Sequence, residues 1–299
     1  MTTDIDQDQP EEQLLYHYCD AVAFESMIRT NRLWLSPFRH SNDSEEGIRA
    51  ERMLVSLATK SGLETSEVED FRETLEAMSK VSDCYGLCLS EHGDLLSQWR
   101  GYADDGAGFS IGFRRSALEK MRPPGDVDFS IGEVRGPLLH KVLYDEQDQL
   151  VALKPWVSSM LEHIRNGHRP SPQERISELA RSTALPGYMQ AQMLLHDTLI
   201  SNWDQLYRVK NEAFLEEAEC RLVLSAFQHG SVPFKYRTRR GMIIPYLEYG
   251  LPDRALSPSP IAKVYLGPKN RTPLFIVQIM LKQFDLGYVE VINSGASYR

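Results

Sequence analysis

The chain has 299 residues, of which 42% are hydrophobic and 25% charged, with a formal net charge of −9. That is enough chain for a sizeable core in one large domain or two small ones. The acidic balance excludes a general nucleic-acid-coating surface and leaves only local basic patches for phosphate-bearing ligands.

Residues 1–12, beginning MTTDIDQDQPEE, read as a disordered acidic leader with no apolar signal segment. Structure is expected to begin near Leu14, because LLYHYCD has the density of a buried strand. Asp20 can cap a following helix, AVAFESMIRTNR, whose Val22, Phe24, Met27 and Ile28 form an inward stripe; a short strand follows at Leu33–Leu35. The polar run SPFRHSNDSEEG then predicts a surface loop. Asn42, Asp43 and Glu45 in it suit capping better than pocket lining.

Residues 44–80 suit a helical hairpin, and YGLCLS returns to strand character. Next comes SQWRGYADDGAGFSIGF, from Ser97 to Phe113, the first candidate for a binding cleft. Flat aromatics suit a heterocycle, guanidinium suits phosphate, and Gly106 and Gly108 permit tight turns or close approach to a ligand. The competing reading is a helix end, turn and strand packed by their own aromatics. A further strand is expected around Leu143 in VLYD.

Residues 146–210 carry helical spacing interrupted by Pro170, Pro172 and Pro186, which predicts a helical insertion. Strand signals resume in AECRLVLS, FKYRTR, GMIIPYLEY and AKVYLG, then a helix over TPLFIVQIMLKQFDL and a last strand at YVEVIN. The two ends of the chain are expected to share one sheet. The organisation is therefore an α+β core of mixed or antiparallel sheet, formed by residues 13–145 and 211–299, with 146–210 inserted.

His17 lies in an apolar strand, where it either satisfies a buried hydrogen bond or projects into a ligand site. Glu219 opens a strand just after Glu216 and Glu217. A carboxylate there is costly unless paired, and Arg221 two residues on shares its face. Glu216 and Glu217 read as solvated helix residues. Ser90 ends the YGLCLS strand and is a candidate ligand contact. In KYRTRR, alternation places Lys235, Arg237 and Arg239 on one face, as a solvated edge strand or a phosphate contact. Cys19, Cys84, Cys88 and Cys220 are dispersed, without zinc or redox spacing, and read as reduced thiols. No GxGxxG after the first strand, GxxxxGK[ST], HExxH or GxSxG occurs. No metal site is expected.

As a set, LLYHYCDAVAFESMIRTNRLWLS, NDSEE, CLSEHGDLLSQWRGYADDGAGFSIGF, EEAECRLVL and IAKVYLGPKN resemble a bacterial domain family of unknown function associated with abortive infection. The opening strand–helix–strand with its early histidine more distantly resembles ADP-ribosyltransferase folds. That resemblance implies an NAD-consuming transferase or glycohydrolase. Glu219, His17 and Tyr102 would be its catalytic groups, and His17, Tyr18, Ser36, Ser90, Trp99, Arg100 and Tyr102 would contact the NAD. It further implies a cytoplasmic toxin or effector of phage defence, with a protein or nucleic-acid acceptor, a defence-system partner and no membrane. The alternative is a non-enzymatic sensor or regulator using the same residues.

Overall fold

The computed structural model describes residues 12–40, 47–123, 136–168, 173, 186–227, 234–239, 241–255 and 258–298. The acidic leader before residue 12 and the Asn42, Asp43 and Glu45 loop lie outside them.

β1 (Leu14–Cys19) leads into α1 (Ala21–Thr30), whose first turn is capped by Asp20 accepting from the Ala23 amide at 2.7 Å. β2 (Arg32–Pro37) completes the strand–helix–strand opening. Phe24, Met27 and Ile28 of α1 are buried as the apolar spacing requires, but Val22 is 78% exposed. Val22 lies two residues before Phe24, about 200° around the helix, on the face opposite the other three.

α2 (Ile48–Lys60) and α3 (Thr65–Val81) form the helical hairpin and feed β3 (Ser82–Ser90). The aromatic segment folds as α4 (Leu96–Tyr102), a tight turn over Asp104–Gly106, and β4 (Phe109–Arg114), followed by α5 (Arg115–Glu119). Gly106 takes φ 88°, the turn role expected of it. Gly108 answers a different demand: a Cβ there would lie 2.1 Å from the Cys19 carbonyl oxygen, so its close approach is to β1 and not to a ligand.

β5 occupies Leu138–Lys141, ahead of the expected position; Leu143 makes only an isolated bridge with Val209. α6 (Glu146–Asn166), α7 (Gly187–Ser201) and a 3-10 segment at Trp203–Arg208 supply the helical stretch, and a second 3-10 segment covers Glu212–Glu217. β6 (Glu219–Phe227), β7 (Lys235–Arg239), β8 (Met242–Gly250), β9 (Ile261–Leu266), α8 (Leu274–Gln283) and β10 (Glu290–Asn293) follow.

The result is a mixed α/β fold on an open, mostly antiparallel sheet. Its order is β10-β9-β4-β1-β3-β2-β8-β7, with β6 and then β5 paired off β3. The first and last of the described strands therefore belong to one sheet, and among the described strands β10 and β9 pair in parallel while the other ladders are antiparallel. β5 and β6 are neighbours, so α6 and α7 lie on the connection between two adjacent strands.

β3 carries the feature that shapes the site. One edge pairs with β6 along its whole length, from Ser82↔Phe227 to Ser90↔Glu219. The other edge is shared: β2 pairs at Ser36↔Gly86 and Pro37↔Tyr85, and β1 only at Tyr16↔Ser90. Leu87 to Leu89 thus face a split where β1 and β2 part.

Candidate functional site

His17 closes that split. Its Nδ1 lies 2.9 Å from the Cys88 carbonyl oxygen, between the Ser36↔Gly86 and Tyr16↔Ser90 pairs. Burial lowers the pKa of the ring, as does the nearby Arg237, against the opposing effect of the carbonyl bond. The imidazole is therefore neutral at pH 7, and Nδ1–H is its donor.

Residues directly opposite in an antiparallel ladder share a face. Ser36 with Gly86, and Tyr16 with Ser90 and Glu219, consequently lie on the same side of the sheet. At the Gly86 end, Arg237 Nη2 donates to Ser36 Oγ at 2.9 Å, and its guanidinium lies 5.9 Å from the Trp34 ring centroid. Lys235, from the same basic run, pairs with Glu248 at 2.6 Å.

The Ser90 end holds a cluster of charges. Glu219 is 4% exposed; Arg221, fully buried, grips it twice, Nε to Oε1 at 2.7 Å and Nη2 to Oε2 at 2.9 Å. Lys210 Nζ donates to Glu219 Oε2 at 2.9 Å and to Glu217 Oε2 at 2.6 Å. Two carboxylates and two cations balance, which is the condition for burying them. Burial alone would raise the Glu219 pKa, but Arg221 and Lys210 overcome it and hold the group at about 2. Burial likewise works against the Lys210 ammonium, and Glu219 and Glu217 outweigh it, raising its pKa well above lysine's ordinary value.

Ala218, between the two glutamates, takes the left-handed conformation (φ 43°, ψ 54°) that turns the chain from the 3-10 segment into β6. Both acids can then reach one ammonium. Ser90 fixes this corner from below: its hydroxyl donates to the Glu217 carbonyl at 2.8 Å and accepts from the His92 amide at 3.1 Å. Tyr144 accepts from the Glu219 amide at 2.9 Å.

Tyr102 joins the cluster from the solvent side. Its hydroxyl donates to Glu217 Oε1 at 3.4 Å, its residue is 36% exposed, and burial of the hydroxyl end beside Glu217 raises its pKa. Phe214, 37% exposed, lies with its ring centroid 4.8 Å from Lys210 Nζ. Glu217, a solvated residue by its sequence context, is instead buried and stands between Glu219 and the exposed Tyr102. Lys210, in the link between the two 3-10 segments, and Phe214, in the second of them, carry no sequence signal, since no regular helix face brings them here.

Three expected ligand contacts are placed elsewhere. Trp99 is 0% exposed, packs edge-on against Tyr18 at 4.8 Å and donates Nε1–H to Asp94 Oδ1 at 2.6 Å, so neither ring face can stack on a base. Tyr18 is buried with it; its hydroxyl donates to the His92 carbonyl and accepts from the Leu95 amide. Arg100 sits two residues before Tyr102 on α4, about 200° around the helix. It lies over the Tyr298 ring, 5.7 Å from the centroid, on the side away from Glu217. Cys88 is half-buried, while Cys19, Cys84 and Cys220 are buried free thiols. No helix among the described residues is long and apolar enough to cross a membrane.

The same stretch of chain carries the family likeness. The family model described as "Protein of unknown function (DUF2971)" matches residues 98–222. No curated protein and no solved structure matches the chain. The matched span runs from α4 through β6 and includes Tyr102, Lys210, Glu217, Glu219 and Arg221, so the chain is similar to that family over the segments that build the charged end of the site.

Proposed function

We propose that this chain is an ADP-ribosyltransferase-like, NAD-consuming effector of bacterial phage defence, acting in the cytoplasm on a protein or nucleic-acid acceptor or on water. The observation that carries the reading is the polarity of one face of β3. A cation, Arg237 on Ser36, stands at the Gly86 end and the Glu217–Lys210–Glu219 cluster capped by Tyr102 stands at Ser90; between them His17, of opposite parity to Tyr16 on β1, closes the strand split at the Cys88 carbonyl. Four residues of strand separate the two ends by about 13 Å. A dinucleotide has the matching polarity, with an anionic diphosphate and a ribose carbon that becomes cationic when its base leaves.

In this reading the bond from ribose C1′ to the nicotinamide nitrogen breaks and its electron pair leaves with nicotinamide. The acceptor then bonds to C1′ and releases its proton. A carboxylate held ionised beside C1′ favours the oxocarbenium-like transition state over the neutral ribose, a contribution on the order of 2 to 4 kcal/mol. Glu219 is locked between Arg221 and Lys210, so Glu217 takes that role, with Glu219 and Lys210 fixing it and Tyr102 supplying the stacking face. Trp99, Tyr18 and Arg100 have no ligand contact in it.

Nicotinamide release from NAD tests the proposal, with wild type beside Glu217→Gln, Glu219→Gln and Tyr102→Phe, and with RNA, DNA or infected-cell extract added separately. Release that Glu217→Gln abolishes supports the transferase reading, and the stimulating additive identifies the acceptor or trigger. Full release by Glu217→Gln overturns it.

The sequestration of Glu219 favours a second reading, a ligand-binding sensor or regulator that signals to a defence-system partner. A charge-balanced network favours rigidity over transition-state charge. Its signature is NAD or nucleotide binding without turnover, spared by Glu217→Gln.

A further inference from the structure

Two carboxylates on either side of α4 hold a segment from the far end of the sheet. Asp94, two residues before the helix, receives three donors: Trp99 Nε1 at 2.6 Å, Ser294 Oγ at 2.5 Å and the Gly295 amide at 2.7 Å. Asp105, in the turn after the helix, accepts from Tyr298 Oη at 2.6 Å and pairs with Lys269 at 2.8 Å. The Tyr298 ring lies between two cations, 3.8 Å from Lys269 Nζ and 5.7 Å from the Arg100 guanidinium. Ala296 packs beside Trp99 and Tyr18. The segment Ser294–Tyr298 contains no helix or strand; its Ser294 amide continues the β10–β9 pairing onto the Leu266 carbonyl at 2.8 Å, and beyond that bond the contacts to Asp94, Asp105, Lys269 and Arg100 hold it in place.

We propose that Ser294–Tyr298 is a latch that sets α4 against the sheet and thereby places Tyr102 over Glu217. α4 is only seven residues long, too short to hold itself. Its inner side is anchored by the buried Trp99, whose indole shares Asp94 with the latch, and its outer side by Arg100 on Tyr298. The Tyr102 hydroxyl reaches Glu217 by a long hydrogen bond, 3.4 Å. The position of its ring is therefore governed by the ends of α4, both of which the latch pins. Asp94 and Tyr298 are positioning residues: they touch no reacting atom and act through the helix. Arg100 and Asp105 are exposed and Lys269 is partly exposed, and salt screens their contacts, so the latch loosens with ionic strength.

The effect on turnover rests on the NAD reading; the mechanical statement does not, and amide exchange tests it alone. Tyr298→Ala and Asp94→Asn are expected to raise exchange across residues 96–106 by about tenfold or more, with β6 unchanged. Tyr298→Phe, which keeps the ring between the cations, restores most of the protection. Unchanged exchange in 96–106 for both Tyr298→Ala and Asp94→Asn overturns the latch, as does equal loosening of β6. If wild type releases nicotinamide, Tyr298→Ala raises KM about fivefold or more at nearly constant kcat, because Tyr102 supplies binding and not charge. A fall in kcat at constant KM overturns the assignment through Tyr102. If wild type releases none, the NAD reading fails, and the exchange result still decides the latch.

Discussion

The two faces of β3 and β6 place opposite demands on the same strands. Leu87, Leu89, Leu222 and Leu224 enter an apolar core shared with α1, β4, β9 and α8. One residue along, Cys88, Ser90, Glu219 and Arg221 face the other way, where Glu219 and Arg221 are as well buried as the leucines. The apolar face is stabilised by area removed from water and tolerates shape-conserving exchange. The charged face depends on complete pairing: each ion is acceptable only because its partners are within about 3 Å, and removing one leaves a buried charge without compensation.

Truncating one partner on each face separates these two kinds of burial. Arg221→Ala leaves Glu219 with Lys210 and the Cys88 side chain as partners, and opens space beside Phe38, over whose ring the guanidinium lies at 5.3 Å. It is expected to cost about 3 to 5 kcal/mol in urea unfolding. Leu222→Ala, the adjacent residue on the apolar face, is expected to cost about 2 to 4 kcal/mol. The decisive comparison is repair. Glu219→Met combined with Arg221→Met removes both charges together and should recover most of the loss on the charged face. A double variant no more stable than Arg221→Ala would show that shape, and not charge balance, dominates there.

The apolar face was the legible one. Apolar and aromatic density in LLYHYC, RLWLS and ECRLVLS marks strands, and the i, i+3, i+4 stripe of Phe24, Met27 and Ile28 marks the first helix, because burial is written in residue types. The pairing of the chain's two ends followed from strand count in the last third. The charged face was only half legible. Glu219 and Arg221 stood out because a strand should not carry both without a reason, and the structure supplies it. Glu217 and Lys210 did not stand out, since a left-handed residue at Ala218 and two 3-10 segments bring them in, and neither has a periodic signature. Trp99 and Arg100 have residue types that suggest ligand chemistry, while helix geometry turns Trp99 into the core and Arg100 toward Tyr298.

The faces should also separate by pH, with opposite signs at two acids. The folded-state pKa of Glu219, about 2, lies below its ordinary 4.5. Its stabilisation is therefore present above pH 4.5 and lost as pH falls toward 2, amounting to about 3 kcal/mol by linkage. Asp83, at the other end of β3, is buried and has Arg39 at 2.6 Å as a partner that is itself 43% exposed. Burial raises its pKa from 3.8 to about 6 despite that partner. Its contribution runs the other way: present below pH 3.8 and lost as pH rises through 6. Asp83→Asn should therefore stabilise the protein at pH 7 by about 1 to 2 kcal/mol, discounted for the exposed arginine, and flatten the stability profile between pH 4 and 6. A steeper profile in the variant would contradict that sign.

The smallest effect sharpens the comparison most, because it holds chemistry and distance nearly constant. Arg29 Nε meets Glu25 Oε1 at 2.8 Å on α1, with both side chains about half exposed, whereas Arg221 Nε meets Glu219 Oε1 at 2.7 Å with both buried. Water and salt screen the first pair, so Arg29→Ala should change stability by less than about 0.5 kcal/mol, and the change should vanish in high salt. The coupling of the buried pair in a double-mutant cycle should survive the same salt. Equal salt sensitivity of the two couplings would mean that water reaches Glu219, and then Glu219, with its two charged partners exchangeable for solvent, would be as open to a ligand as Glu217.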